Sequence, residues 1–267
     1  MTTALSRRAL VSGLVLAPAA MAHARARPFA WPGGKRAAVS LTYDDGLNSQ
    51  LEYAIPALQA RGLRGTFFLV QENMDARLAD WVAAAAQGHE IGDHTYTHPC
   101  QMQDFSPASF ADQQIAPMES YLDQHFGAAG PRSFAYPCGF LGLGRGAMNR
   151  RLVRYRLALE HTFTCARTVA GGPNDPAQVM RDRFDLKAFE PTYDADVIGP
   201  AVRYLRETLA MGGWAILVFH DVAPQRIGEG STTVARHAQI LDLIQAQSFW
   251  CAPMGEVFRQ VASTQRI

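Results

Sequence analysis

A chain of 267 residues, 48% hydrophobic and 18% charged, has enough apolar material for one large core, and a single barrel of this length is ordinary. With 25 Lys and Arg against 24 Asp and Glu, the formal net charge is +1, which excludes a global field for nucleic acid or an acidic membrane. Any polyanion binding has to be local.

Residues 1–26 read as an export signal, not as fold. Ser6-Arg7-Arg8-Ala9-Leu10 precedes an apolar stretch, Val11 to Met21, that is too short to span a bilayer and ends in the small-residue runs Ala22-His23-Ala24 and Ala24-Arg25-Ala26. The paired arginines resemble the twin-arginine type, with an ordinary secretory signal as the alternative. Either way the expectation is an exported protein, periplasmic or secreted, whose catalytic domain occupies residues 27–267 and does not insert stably in the membrane. Four cysteines, Cys100, Cys138, Cys165 and Cys251, suit an oxidising compartment, and none lies in a CxxC pair that would suggest structural zinc.

From Ala37 onward strand and helix signals alternate. The apolar run Ala37 to Leu41 ends on Thr42-Tyr43-Asp44-Asp45-Gly46, and a helix with Leu51, Ala54, Ile55 and Leu58 on one face follows. Strands are expected at 65–70, 89–93, 133–136, 162–167, 184–189, 214–219 and 249–251. Helices are expected at 75–87, from Ser106-Pro107 through Leu122, at 146–159, at 196–211, after Ser231 and from Pro253. The run Gly171-Gly172-Pro173-Asn174-Asp175-Pro176 reads as loop. This pattern predicts an α/β protein, a distorted (β/α) barrel of about seven strands. An open doubly wound sheet is the alternative, but no Gly-rich phosphate loop follows the first strand.

In a parallel barrel the catalytic groups sit at C-terminal strand ends. Asp44 and Asp45 end the first strand, His94 follows the third, Pro137 the fourth, and His220 follows Trp214 to Phe219. Adjacent strand residues point to opposite faces, so the two acids serve one site only if the chain turns there, as Gly46 permits; a solvated Asp-Asp-Gly turn is the bland alternative. His94 and His98 are spaced by four residues, which on a helical turn puts both imidazoles on one side, and with one carboxylate they form a facial metal set. Zinc accepts two histidines and an acid while keeping positions for water.

These residues resemble the polysaccharide deacetylases of carbohydrate esterase family 4. The resemblance rests on TYDDG at Thr42 to Gly46, the HTxxH-type motif at His94 to His98, the RxxxxPxG-type motif at Arg132 to Gly139 and the LxxH-type motif at Leu217 to His220, and it covers roughly Trp31 to Val261. It implies that Asp44 is the general base and that Asp45, His94 and His98 hold a divalent metal, most often Zn2+. It also implies that Arg132 pairs with the base, that the Tyr136 backbone N–H donates to the oxyanion, and that His220 is the general acid. The family's usual Asp-containing fourth motif is absent between Tyr136 and Leu217, which leaves Asp175 or Asp185 as candidates to orient His220.

The expected activity is therefore metal-dependent hydrolysis of N- or O-acetyl groups on an acetylated carbohydrate, with no nucleic-acid partner. The rivals are a hydrolase of non-peptide C–N bonds in small molecules and an inactive glycan-binding module on the same scaffold. His89, His125, His161 and His237 lack a carboxylate partner in register and read as structural. The basic stretch Arg145 to Arg156 reads as a solvated helix face, or as a site for an anionic glycan beside the barrel mouth. Cys100 and Cys138 fall in neighbouring rim loops and predict a disulfide, with two free thiols as the alternative; Cys165 and Cys251 fall on inner strands and read as core.

Overall fold

A computed structural model describes residues 29–128, 130–191, 198–228 and 230–264. The expected export signal and the first residues of the helix expected at 196–211 lie outside them. No helix among the described residues is long and apolar enough to cross a membrane.

The strands are β1 (Ala37–Asp45), β2 (Thr66–Leu69), β3 (Glu90–Asp93), β4 (Ser133–Ala135), β5 (Cys165–Arg167) and β6 (Trp214–Phe219), followed by the short pair β7 (Val222–Ala223) and β8 (Thr232–Thr233) and then β9 (Phe249–Cys251). The main sheet has seven strands in the order β5-β4-β3-β2-β1-β6, with β9 also on β1, and every pairing is parallel. The main helices are α1 (Ile55–Gln59), α2 (Leu78–Ala86), α3 (Ala116–Phe126), α4 (Met148–Leu159), α5 (Ile198–Met211), α6 (Val234–Gln245) and α7 (Met254–Thr264). This is the expected distorted (β/α) barrel.

The barrel closes through the segment expected as a strand at 184–189, which pairs only at single points. Leu186 bridges Arg167 of β5, and Phe189 bridges Leu217 of β6. Between them the Asn174 side chain stands in for a neighbouring strand. Its Oδ1 accepts from Lys187 N at 2.8 Å and its Nδ2 donates to Lys187 O at 2.8 Å, so these groups are satisfied without a ladder.

Strand parity sorts the side chains. Val39, Leu41 and Tyr43 of β1 and Leu217 and Phe219 of β6 pack under the helices, whereas Ala38, Trp214, Ile216 and Val218 join Phe68, Ala135 and Cys165 inside the barrel. Thr42 and Asp44 share the parity of Ala38, and Arg167 shares that of Cys165. All three side chains therefore face the interior.

Two π-helical turns, Gln50–Ala54 and Ala111–Ile115, each lie just before a proline, Pro56 and Pro117. A proline removes one helical N–H and crowds the carbonyl four residues back, which the wider turn relieves. The helix expected to be capped by Ser231 is capped instead by Thr233, whose side chain accepts from Arg236 N. The Ser231 hydroxyl is engaged with Ile227 N and Gly228 O.

Candidate active site

β1 runs one residue further than a regular strand permits. Asp45 takes a left-handed φ of 77° and Gly46 follows at 71°, so the chain reverses its side-chain alternation and both carboxylates serve the same mouth. Asn73 Nδ2 holds the Asp45 carbonyl at 2.9 Å. Gln50 Nε2 donates to the Asp44 carbonyl at 2.5 Å and to the His220 carbonyl at 3.1 Å, tying together the ends of β1 and β6.

The segment from His94 to His98 is not helical, contrary to expectation. Thr95 and His98 have φ of 72° and 50°, and the turn is held by side chains: Asp93 Oδ1 accepts from Thr95 N at 2.6 Å, Thr95 Oγ1 from His98 N at 3.1 Å, and Gln114 Oε1 from Thr97 N at 3.0 Å. The turn still delivers both imidazoles to one place. His94 Nε2 and His98 Nε2 each stand 3.5 Å from Asp45 Oδ1, and the three ligand atoms lie within 4.8 Å of one another. His94 Nδ1 is 2.9 Å from the Ala135 carbonyl, to which it donates as a protonated nitrogen, leaving the Nε2 lone pair turned to the site. Burial pushes the His94 pKa down against the pull of Asp44 and Asp45, which keeps the ring in its ligating neutral form. Two imidazoles, one of them in a fixed tautomer, and one carboxylate fit a divalent metal such as zinc.

Asp44 is buried beside this set, with Oδ2 3.8 Å from His94 Nε2. Burial alone raises its pKa, but the Arg167 guanidinium, His94 and His220 outweigh that and hold the carboxyl below its ordinary range. Arg167 binds Asp44 Oδ1 through Nη2, donates from Nε to Thr42 Oγ1 at 3.1 Å and lies 4.7 Å from the centre of the Phe68 ring, entirely out of solvent.

Arg132 is therefore not the partner of Asp44. It precedes β4, at the end of the barrel remote from the mouth, and forms ion pairs with Glu119 Oε2 at 2.9 Å and Asp123 Oδ1 at 2.7 Å. Burial and the Glu119 charge hold the Asp93 carboxyl well above its ordinary range, and burial likewise raises Glu119 against the pull of Arg132. Arg132 thus acts on the His94 turn from behind, through Glu119 and Asp93. Arg167 was missed because the strand containing it shows no motif. The available signal was a lone arginine on the last residue of a buried strand.

Tyr136 is also placed differently from expectation. Its backbone N–H donates to the Arg167 carbonyl at 3.2 Å within the β4–β5 pairing, and its hydroxyl donates to Phe184 O at 2.8 Å, so both of its donors are already used. The residue packs with Phe134 and Tyr155 in an apolar cluster.

His220 lies at the mouth with Nδ1 2.9 Å from Glu190 Oε1. This contact is an ion pair, set off the line of the ring N–H. Burial lowers the His220 pKa, but Glu190, Asp44 and Asp45 together bring it up to about 9. Neither acid expected beside His220 is there: Asp175 caps a short helix through Ala177 N at 2.9 Å, and Asp185 pairs with Lys187 at 2.6 Å. Glu190 follows Phe189, the residue that bridges to β6, which is the strand-end position the other site acids occupy.

His89 Nδ1 accepts from Gly65 N at 3.1 Å, and His237 Nε2 meets Tyr43 Oη at 2.7 Å, both away from the mouth. Cys100 and Cys138 are joined in a disulfide with Cα atoms 5.8 Å apart, which ties the loop after His98 to the loop after Tyr136. Cys165 and Cys251 are free.

Residues 32–155 match the family model described as polysaccharide deacetylase. A peptidoglycan-N-acetylglucosamine deacetylase of Bacillus cereus is 39% identical over 67 residues, 24% of this chain and 24% of that protein. A chitin deacetylase of Pestalotiopsis is 25% identical over 192 residues, 70% of this chain and 54% of that protein. The matches thus span about a quarter and about half of these relatives. In fold the chain is similar to a Mycobacterium smegmatis protein assigned as a polysaccharide deacetylase, with a TM-score of 0.66, 18% identity and coverage of 90% of this chain and 95% of the other.

Proposed function

We propose that the chain is a member of the polysaccharide deacetylase family, whose model matches residues 32–155, and that it hydrolyses acetyl groups from an acetylated carbohydrate outside the cytoplasm, using a divalent metal, most simply zinc. The observation that carries this reading is the convergence of Asp45, His94 and His98 beside a separate, buried, arginine-paired carboxylate, Asp44. One acid is placed to ligate and the other to move a proton.

A divalent ion held by Asp45, His94 and His98 would polarise the acyl oxygen and lower the pKa of water to about 7. Asp44, kept ionised by Arg167, accepts a proton from the attacking water as the tetrahedral intermediate forms. His220, held protonated by Glu190, donates to the departing nitrogen or oxygen. Gln50 keeps the two proton-transfer groups in register through their carbonyls. The same groups serve amides and esters. An extracytoplasmic substrate is supported by the signal-like residues 1–26 and suited by the rim disulfide.

The test is acetate release from a panel of acetylated xylan, chitin oligomers and peptidoglycan, with and without a chelator. Release from at least one polymer that stops on chelation and returns with zinc supports the proposal. Release insensitive to thorough metal removal overturns the metal, and no release from any polymer by metal-loaded protein overturns the substrate class.

A further inference from the structure

Of the eight large hydrophobic side chains exposed among the described residues, five fall within residues 140–159: Phe140, Met148, Leu152, Val153 and Leu157, with exposures between 40% and 58%. The same stretch contains five arginines and no acid. Arg145 pairs with Asp104 and Arg156 with Asp182. Arg150, Arg151 and Arg154 have no carboxylate partner among the described residues, and the last two donate to the Gly142 and Arg145 carbonyls.

The exposed apolar residues cover two adjoining sides of α4 and the loop before it. A groove of about 610 Å³ is lined by Phe140, Leu141, Met148 and Leu152 and reaches the Cys100 loop. A second hollow of about 280 Å³ adjoins it, sharing Leu141 and Leu152 and adding Val153, with Arg156, Asp182 and Asp185 in its wall. α4 turns Tyr155 and Leu159 into the core, so Val153 and Leu157 stand on the opposite face, with Arg150 and Arg154 beside them.

We propose that this face docks reversibly on a phospholipid bilayer with anionic headgroups. The apolar side chains need a phase to enter, which a hydrophilic polyanion does not offer, and the unpaired arginines match the headgroup charge. A second copy of the chain fits poorly, because a twofold contact would set the arginines of both copies against each other. The docking is interfacial and local, in keeping with a net charge of only +1. Phe140 lies two residues from Cys138, whose disulfide partner follows the His98 turn, so docking sets the barrel mouth at the membrane surface.

The experiment is sedimentation of the protein with vesicles of pure phosphatidylcholine and with vesicles containing phosphatidylglycerol, repeated for Val153→Glu/Leu157→Glu and for Arg150→Glu. Melting temperature and hydrolysis of a small soluble acetyl ester serve as controls, because none of these side chains is buried or lies at the mouth. Binding is expected only to the anionic vesicles, weakening with salt and falling roughly tenfold or more in each variant. Absence of binding, equal binding to neutral vesicles, or binding that survives Val153→Glu/Leu157→Glu overturns the proposal. A dimer of the unaltered protein that the same double variant dissociates also overturns it, in favour of self-association.

Discussion

Arg167 closes its guanidinium on Asp44 inside the barrel, although the two residues are separated by 123 positions in the chain. Neither side chain reaches solvent to any useful extent, so neither charge is supported by water and each depends on the other.

Removing the arginine should damage stability and chemistry together. Arg167→Ala is expected to cost about 3 to 5 kcal/mol, the usual penalty for stranding a buried charge, and to lower kcat by about a hundredfold or more. The Asp44 pKa, held low in the folded state, contributes stability above the ordinary carboxylate range that is lost as pH falls through the folded value. The variant should therefore show an acid limb of its pH–rate profile moved to higher pH. Arg132→Ala should lower the melting temperature through Glu119 and Asp93 and leave that limb in place. Reversal of the two outcomes would return the role of base partner to Arg132.

The metal assignment separates two neighbouring acids. Asp45→Asn or His94→Ala should abolish both bound metal and turnover, whereas Asp44→Asn should keep stoichiometric metal and lose turnover, since an amide accepts no proton. Metal analysis of the folded variants alongside acetate release checks this. A His94→Ala protein with full metal content would refute the ligand set.

On the proposed mechanism, Glu190 and His220 would set the alkaline limit. With the His220 pKa raised to about 9, the protonated acid persists well above the ordinary imidazole value, and kcat should fall only as pH rises through about 9. The stabilising interaction follows the same sign: it is fully present below about 6.5, the unperturbed value, and lost as pH rises toward the folded one. Glu190→Gln should move the alkaline limb downward by one to two units, roughly the loss of a close opposite charge. An unmoved limb would show that Glu190 does not act on His220.

The disulfide is open to direct chemical measurement. Thiol titration of the unfolded, unreduced protein should find two free cysteines, Cys165 and Cys251, rising to four after reduction. Opening the loop of 38 residues should cost about 4 kcal/mol in the chain-entropy model. It should also loosen the His98 turn, so that metal affinity falls along with stability. Retention of full metal affinity by the reduced protein would confine the bridge to a stability role.

The sequence by itself determined the barrel and most of the residues that converge at its mouth. A buried parallel strand is a largely apolar run, so a polar residue at its C-terminal end stands out, and Asp44, Asp45 and His220 each end or follow such a run, whereas His94 follows the short strand Glu90–Asp93 and was marked by its spacing from His98. Two of the expectations depended on local geometry, and the fold met them by another route: the histidines share a side through left-handed Thr95 and His98 rather than through a helix, and Asp45 itself turns the chain. Only the tertiary structure decided which charges face one another. Whether Arg132 or Arg167 reaches Asp44, and whether Asp175, Asp185 or Glu190 reaches His220, depends on which end of a strand lies at the mouth, on strand parity, and on how residues 183–189 close the barrel. The Tyr136 N–H shows the same limit, because its commitment to the Arg167 carbonyl is a property of the β4–β5 pairing. Spacing along a chain encodes local periodicity, but contacts across more than a hundred residues arise only when distant strands are brought side by side.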